Sequence, residues 1–267
     1  MIRNFSKKVL LLCWFTGMAI FWRYAFEKRE PEPLIVTPAR GLYIGTNAEF
    51  KPFSFIDKDG KLTGFDIEVM EEIGKIFGCP IHIKDLPFDV LIAELQNGSI
   101  DIIAAGITPT VTRTKQVVFT KPIFDGDPLV IISLKKYPID TFEELKEKTV
   151  LVNEGYYADS FLSAYENINI IRLASALTTD GLLALESGRA EAFIGSYATT
   201  IPFLNKKNAH LFQHVLIEGT SEKDALALAK HNVEFAQQLN EAIDTLHNNG
   251  ILDRLIDKWF QKRAYND

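Results

Sequence analysis

Arg113 closes a thirteen-residue stretch, Asp-Ile-Ile-Ala-Ala-Gly-Ile-Thr-Pro-Thr-Val-Thr-Arg over 101–113, whose residue types could together hold a carboxylate. Its first five residues, Asp101 to Ala105, read as a short buried strand. Gly106 follows, where backbone can approach a ligand with no Cβ in the way. Thr108 and Thr110 bring hydroxyls, and a short helix predicted over Thr112 to Val117 brings N–H groups that lack intrahelical partners. Arg113 adds a planar fork of donors that matches a carboxylate through two parallel bonds. The same residues also fit a buried strand, a capped helix and a solvated arginine. The stretch alone leaves both readings open.

Other chemistries find less support. The five histidines stand at 82, 210, 214, 231 and 247. His210 and His214 are four apart, but the residues between them look more like strand than helix. No cysteine or carboxylate completes a ligand set at familiar spacing, so no metal is expected. Gly195-Ser196-Tyr197 has no accompanying base, and neither a nucleophile elbow nor a phosphate loop is present. No catalytic residue and no cofactor are expected. Cys79 is the one cysteine beyond the N-terminal segment and reads as a core thiol, so no disulfide can form in the body.

Four further blocks surround the central stretch. Upstream stand Gly-Thr-Asn-Ala-Glu-Phe-Lys-Pro-Phe-Ser-Phe (45–55) and Gly-Lys-Leu-Thr-Gly-Phe-Asp-Ile-Glu (60–68). Downstream come Gln-Val-Val-Phe-Thr-Lys-Pro-Ile-Phe (116–124) and Asn-Gly-Ile-Leu-Asp-Arg-Leu-Ile-Asp-Lys-Trp-Phe (249–260). In this order they resemble the polar amino-acid binding proteins of ABC importers, over roughly residues 40 to 260, and most of all the arginine and basic amino-acid binders. The resemblance implies a two-lobed α/β fold of the periplasmic-binding-protein kind, with a mainly parallel sheet in each lobe and two hinge crossings near 125–130 and 219–224. Lobe 1 would comprise 40–127 plus 223–267, and lobe 2 would comprise 128–222.

The resemblance also implies the ligand contacts. Asn47 would meet the ligand side chain, Phe50 and Phe88 would sandwich it, and Glu49 would add negative charge at the mouth. Gly106 and Thr108 would hold the ligand backbone, with Arg113 on its carboxylate. From the second lobe, Asn153-Glu154-Gly155-Tyr156-Tyr157 opens a helix at the matching place, from which Asn153 and Tyr157 carry over. Ser196 departs from the pattern, because the family commonly has an acid there for the α-ammonium. A serine cannot neutralise that charge, so Glu154 or Asp127 would have to substitute. The implied partners are a basic L-amino acid (arginine, then lysine), a membrane permease and its ATPase, for a monomeric binder. An alternative is an enzyme on the same scaffold, such as a cyclohexadienyl or arogenate dehydratase, with Glu49 or Glu154 as its acid or base. Another is a surface-anchored sensor.

Charge and composition agree with export. Residues 1–30 hold six Lys/Arg and two Asp/Glu, which leaves 23 basic and 33 acidic residues in 31–267. An acidic body without a basic stripe argues against nucleic acid. Arg3, Lys7 and Lys8 precede 14 uncharged residues, Val9 to Trp22, a run suited to a signal peptide or signal anchor over 1–26. Residues 27–39, rich in proline, read as a linker.

The elements that must position the site follow from periodicity. A strand is expected at Leu42 to Thr46, then a hairpin turning at Lys58-Asp59-Gly60. Asp66 is placed as the cap of a helix that runs to Phe77 and ends at Gly78. Strand Ile81 to Ile83, helix Asp89 to Gln96 and the central strand complete a β-α-β-α-β unit, which puts ligands at the carboxyl ends of its strands. After an apolar run at Leu129 to Ser133, Thr141 to Glu144 writes a capping box for a helix. A second unit alternates strands at Thr149 to Val152, Asn169 to Leu173 and Glu191 to Ile194 with helices at Ala158 to Tyr165 and Leu177 to Ser187. Strand Ala225 to Ala229 and helices Val233 to His247 and Leu252 to Phe260 end the chain.

Overall fold

The apolar runs become the strands of two five-stranded sheets. A computed structural model describes residues 40–204 and 208–260; the expected signal segment (1–26) and linker (27–39) lie outside them. Strand β1 (Leu42–Thr46) leads into a small antiparallel sheet of β2 (Glu49–Phe50), β3 (Ser54–Ile56) and β4 (Leu62–Thr63). Helix α1 (Phe65–Phe77) follows and ends at Gly78, as expected.

Asp66 does not cap this helix. Carbonyls of the preceding hairpin already take its first N–H groups, with Phe65 N–H on Pro52 O at 3.0 Å and Asp66 N–H on Phe53 O at 3.0 Å. Gly64 makes that approach possible, since a Cβ there would stand 2.2 Å from the Phe53 carbonyl oxygen. Asp66 therefore sits inside the first turn with its carboxylate free to reach elsewhere.

The chain continues through β5 (Ile81–Asp85), a 3-10 turn (Phe88–Val90), α2 (Leu91–Gln96), β6 (Ile102–Ile103), α3 (Val111–Thr114) and the long β7 (Val117–Asp127). Only Pro128 separates β7 from β8 (Leu129–Leu134), which lies in the other sheet. The capping box yields one 3-10 turn, Glu143–Leu145, because Leu145 is buried and β9 (Thr149–Asn153) begins soon after. Then come α4 (Tyr157–Leu162), β10 (Asn169–Leu173), α5 (Thr178–Glu186), β11 (Ala192–Ser196), α6 (Tyr197–Thr200) and β12 (Phe212–Leu216). The return is β13 (Glu222–Ala229), back in the first sheet, followed by α7 (Val233–Asn248) and α8 (Ile251–Phe260).

The strand orders are β5-β1-β6-β13-β7 and β10-β9-β11-β8-β12. In each sheet the first three strands pair in parallel and the last two pairings, β6-β13-β7 and β11-β8-β12, are antiparallel. Parallel pairing is thus confined to the βαβ parts. The antiparallel strands are those on which the chain passes between sheets. Leu42, Ile44, Phe65, Met70, Leu226 and Leu239 anchor the core of the first half, and Val150, Val152, Leu162 and Ile194 that of the second. α8 is pinned to this core by Phe260, stacked on Phe124 with ring centroids 3.9 Å apart.

Candidate ligand-binding cleft

The carboxyl ends of the parallel strands from both sheets meet, and they bring together most of the residues singled out from the sequence. Asn47, just past β1, is buried and donates from its side-chain amide to the Leu86 carbonyl at 3.2 Å. Its side-chain oxygen accepts from the Tyr156 hydroxyl at 3.5 Å, the long limit of a hydrogen bond. Past β6 the backbone turns at Gly106 with φ 57°, where a Cβ would stand 2.6 Å from the Phe50 ring. The glycine lets Phe50 lie on the main chain. The Gly106 N–H is taken by the Asp66 carboxylate at 2.6 Å. Burial pushes that carboxyl up to about 7, despite the opposing bond from Gly106.

Arg113 sits in α3, whose cap is Thr110 through a 3.2 Å bond from the Arg113 N–H. Its guanidinium is buried and lies 5.2 Å from the Phe88 ring centroid. One nitrogen donates to the Thr108 carbonyl at 2.8 Å. The other crosses between the sheets to the Gly155 carbonyl at 2.6 Å. Burial lowers its pKa, and the Glu222 carboxylate is foremost among the charges that oppose the shift.

Thr108 connects this cation to an acid. Its hydroxyl is 3.3 Å from Glu222 and 3.4 Å from Asp224, and Ser196 Oγ donates to Glu222 at 2.5 Å. Glu222, the first residue of β13, is therefore the acid at Ser196. Glu154 is exposed, and Asp127 accepts from the Ala198 N–H at 2.9 Å through one oxygen. Burial pushes Glu222 up to about 7, against its bonds from Ser196 and Thr108 and the charge of Arg113. Asp127 and Asp224 are raised by burial first and by Glu222 next. One oxygen of each is buried without a hydrogen-bond partner. A cluster of this kind favours the arrival of a cation.

From the second sheet, Tyr157 opens α4, and both burial and the Glu222 charge raise its phenol. Tyr156 precedes the helix in extended conformation and carries its ring toward the first half. There it stacks on Phe88 (4.4 Å between centroids, 20° between planes) and packs against Phe50 (4.8 Å). Asn153, at the end of β9, donates from its side-chain amide to the Ser175 carbonyl at 2.5 Å, which braces the turn after β9. Glu49 is exposed at the rim, near enough to Tyr156 for its charge to raise the phenol. A cavity of about 520 Å³ lies elsewhere, between Pro52, Phe124, Ile201 and Trp259, and contains none of these groups.

The cleft thus places a buried guanidinium beside buried carboxyls. The chain matches the bacterial extracellular solute-binding proteins, family 3, over residues 42–262. It belongs to that family. The arginine-binding extracellular protein ArtP of Bacillus subtilis (strain 168) is 29% identical over 228 residues, covering 82% of this chain and 86% of that one. The P235GK mutant of ArgBP from T. maritima superposes with TM-score 0.73 at 35% identity, covering 84% and 97% of the two chains. An ancestral arginine-binding protein bound to glutamine gives TM-score 0.74 at 31% identity, covering 85% and 100%. The two-lobed binding-protein fold is thereby established.

Sequence reasoning missed two members of the family-3 cleft in this chain. Tyr156 stood inside a quoted stretch, and its alternation with Tyr157 at a helix start was the available signal: neighbours there point to opposite sides. Glu222 could have been found as an acid opening an apolar strand, in register with Asp127 across the crossing.

Proposed function

We propose that this family-3 protein is a monomeric extracytoplasmic receptor that closes its two lobes, 40–127 plus 223–267 and 128–222, on a basic L-amino acid. Arginine is preferred over lysine, and the ligand is delivered to an ABC permease and its ATPase. The observation that carries the reading is Thr108, whose carbonyl holds Arg113 while its hydroxyl faces Glu222. A ligand α-carboxylate takes the Arg113 donors, and its α-ammonium takes Glu222 and Ser196. The side chain enters between Phe50 and Phe88, where each ring face offers a cation about 0.5–2 kcal/mol. A flat guanidinium uses both faces better than a hydrated ammonium, and Asn47 supplies an acceptor at the far end. The charged and apolar N-terminal segment supports export, with the protein periplasmic or membrane-anchored outside the cytoplasm.

A thermal-shift screen across the standard amino acids tests the class, since a tight ligand raises apparent stability by mass action. Calorimetry with arginine, lysine and glutamine tests the order. No stabilising amino acid would remove the receptor reading; glutamine tighter than arginine would remove the side-chain assignment.

One feature favours a second reading as an enzyme of the dehydratase kind. Burial raises Glu222 to about 7, so at neutral pH it is protonated in part and could donate that proton as a general acid. The acids first considered, Glu49 and Glu154, are both exposed. Incubation with a cyclohexadienyl amino acid, followed by the appearance of an aromatic product, decides for this reading.

A further inference from the structure

The slot between Phe50 and Phe88 is already filled by the protein itself. Tyr156 comes from the second lobe, its ring stacked on Phe88 and packed on Phe50, with its hydroxyl directed at Asn47. It thus meets the groups assigned to a ligand side chain: a stacked contact with Phe88, a tilted one with Phe50 and a hydrogen-bond donor on Asn47. The neighbouring carbonyl, on Gly155, takes an Arg113 donor in the same way that a ligand carboxylate would. Residues 155 and 156 together stand where an amino acid with a planar side chain would stand.

We propose that Tyr156 is a built-in competitor for the side-chain slot, holding the two lobes together without ligand and leaving the slot when one binds. The proposal rests on the amino-acid-receptor reading and adds a specificity rule to it. A ligand must replace both what Tyr156 gains from two rings and its bond to Asn47. A guanidinium does so, because it is planar and donates hydrogen bonds. An aliphatic or short side chain does not, and it either fails to bind or binds with Tyr156 still in place. Because self-occupation reduces the binding-competent fraction of the free protein, it weakens apparent affinity by that fraction. Two ring contacts make the reduction about tenfold.

The test uses the wild-type chain, Tyr156→Ala and Tyr156→Phe, each checked for native circular dichroism. Scattering on the free proteins reads the tether without any ligand: wild type and Tyr156→Phe stay compact, whereas Tyr156→Ala gives a larger radius of gyration. Calorimetry reads the competition: Tyr156→Ala binds arginine about tenfold tighter, Tyr156→Phe only slightly tighter, and alanine affinity does not improve. An equally compact free Tyr156→Ala protein overturns the proposal. So does weaker arginine binding by that variant, which would make Tyr156 a permanent wall of the site. If neither wild type nor Tyr156→Ala binds any amino acid, the receptor reading fails, and the scattering result alone decides whether Tyr156 holds the lobes together.

Discussion

Replacing Arg113 with alanine removes one partner of a desolvated ion pair with the ligand, a loss of about 3–5 kcal/mol. Affinity should fall roughly 10²–10³-fold or more, with the circular dichroism spectrum unchanged because the side chain borders a cleft. Calorimetry on Arg113→Ala that returns wild-type affinity would remove Arg113 from the carboxylate site. Glu222→Gln keeps the shape and the bond from Ser196 but loses the charge opposite an ammonium, a difference of ~1.5–3 kcal/mol. The expected result is binding about 10–10²-fold weaker. An unchanged Kd would mean that the α-ammonium sits elsewhere. Arg113 was legible in the sequence because a glycine, hydroxyls and a guanidinium fall within one local stretch. Glu222 was not, because it comes to Ser196 only through the pairing of β13 with β7, a contact between residues far apart in the chain.

At the scale of elements, the turn after β6 is where fold and site meet. Gly106 allows Phe50 to lie on the backbone, and its N–H takes one oxygen of the buried Asp66 of α1. Gly106→Ala sets a Cβ into the Phe50 ring at a left-handed φ and should cost ~1–3 kcal/mol of stability through overpacking. It should also weaken ligand binding, because the slot wall moves. Urea unfolding together with calorimetry reads both, and a variant with wild-type stability and affinity would show that Phe50 can shift freely. Strands and long helices were readable because their apolar residues repeat at a fixed period. β10 was read at its observed bounds, and α1 ends at the expected glycine. The helix starts were harder. Asp66 and the Thr141–Glu144 box have the residue types of caps, yet at α1 hairpin carbonyls had taken the helix N–H groups, and at the box the chain had room for one turn. Local composition does not reveal such competition.

Across the whole molecule, the crossings gather acids where the two lobes meet, and this ties ligand binding to protons. In the free protein Asp66 and Glu222 are held up to about 7 by burial, from ordinary values of 3.8 and 4.5. Asp127 and Asp224 shift in the same direction. A carboxyl whose folded pKa is raised stabilises the fold fully below its unfolded pKa, and this contribution is lost as pH rises through the folded value. The free protein should therefore melt at a higher temperature at pH 5 than at pH 8. Ligand binding has the opposite sign. An α-ammonium on Glu222 favours the ionised carboxylate, so binding releases a proton when Glu222 begins protonated. Arginine affinity should be greatest above pH 7 and should weaken about tenfold per pH unit below it while one proton is displaced. Calorimetry in two buffers of different ionisation enthalpy at pH 6 counts the released proton directly. In Glu222→Gln that release should vanish together with the pH dependence. A wild-type affinity that is flat from pH 5 to 8 would mean that the ligand cation never reaches the buried acids.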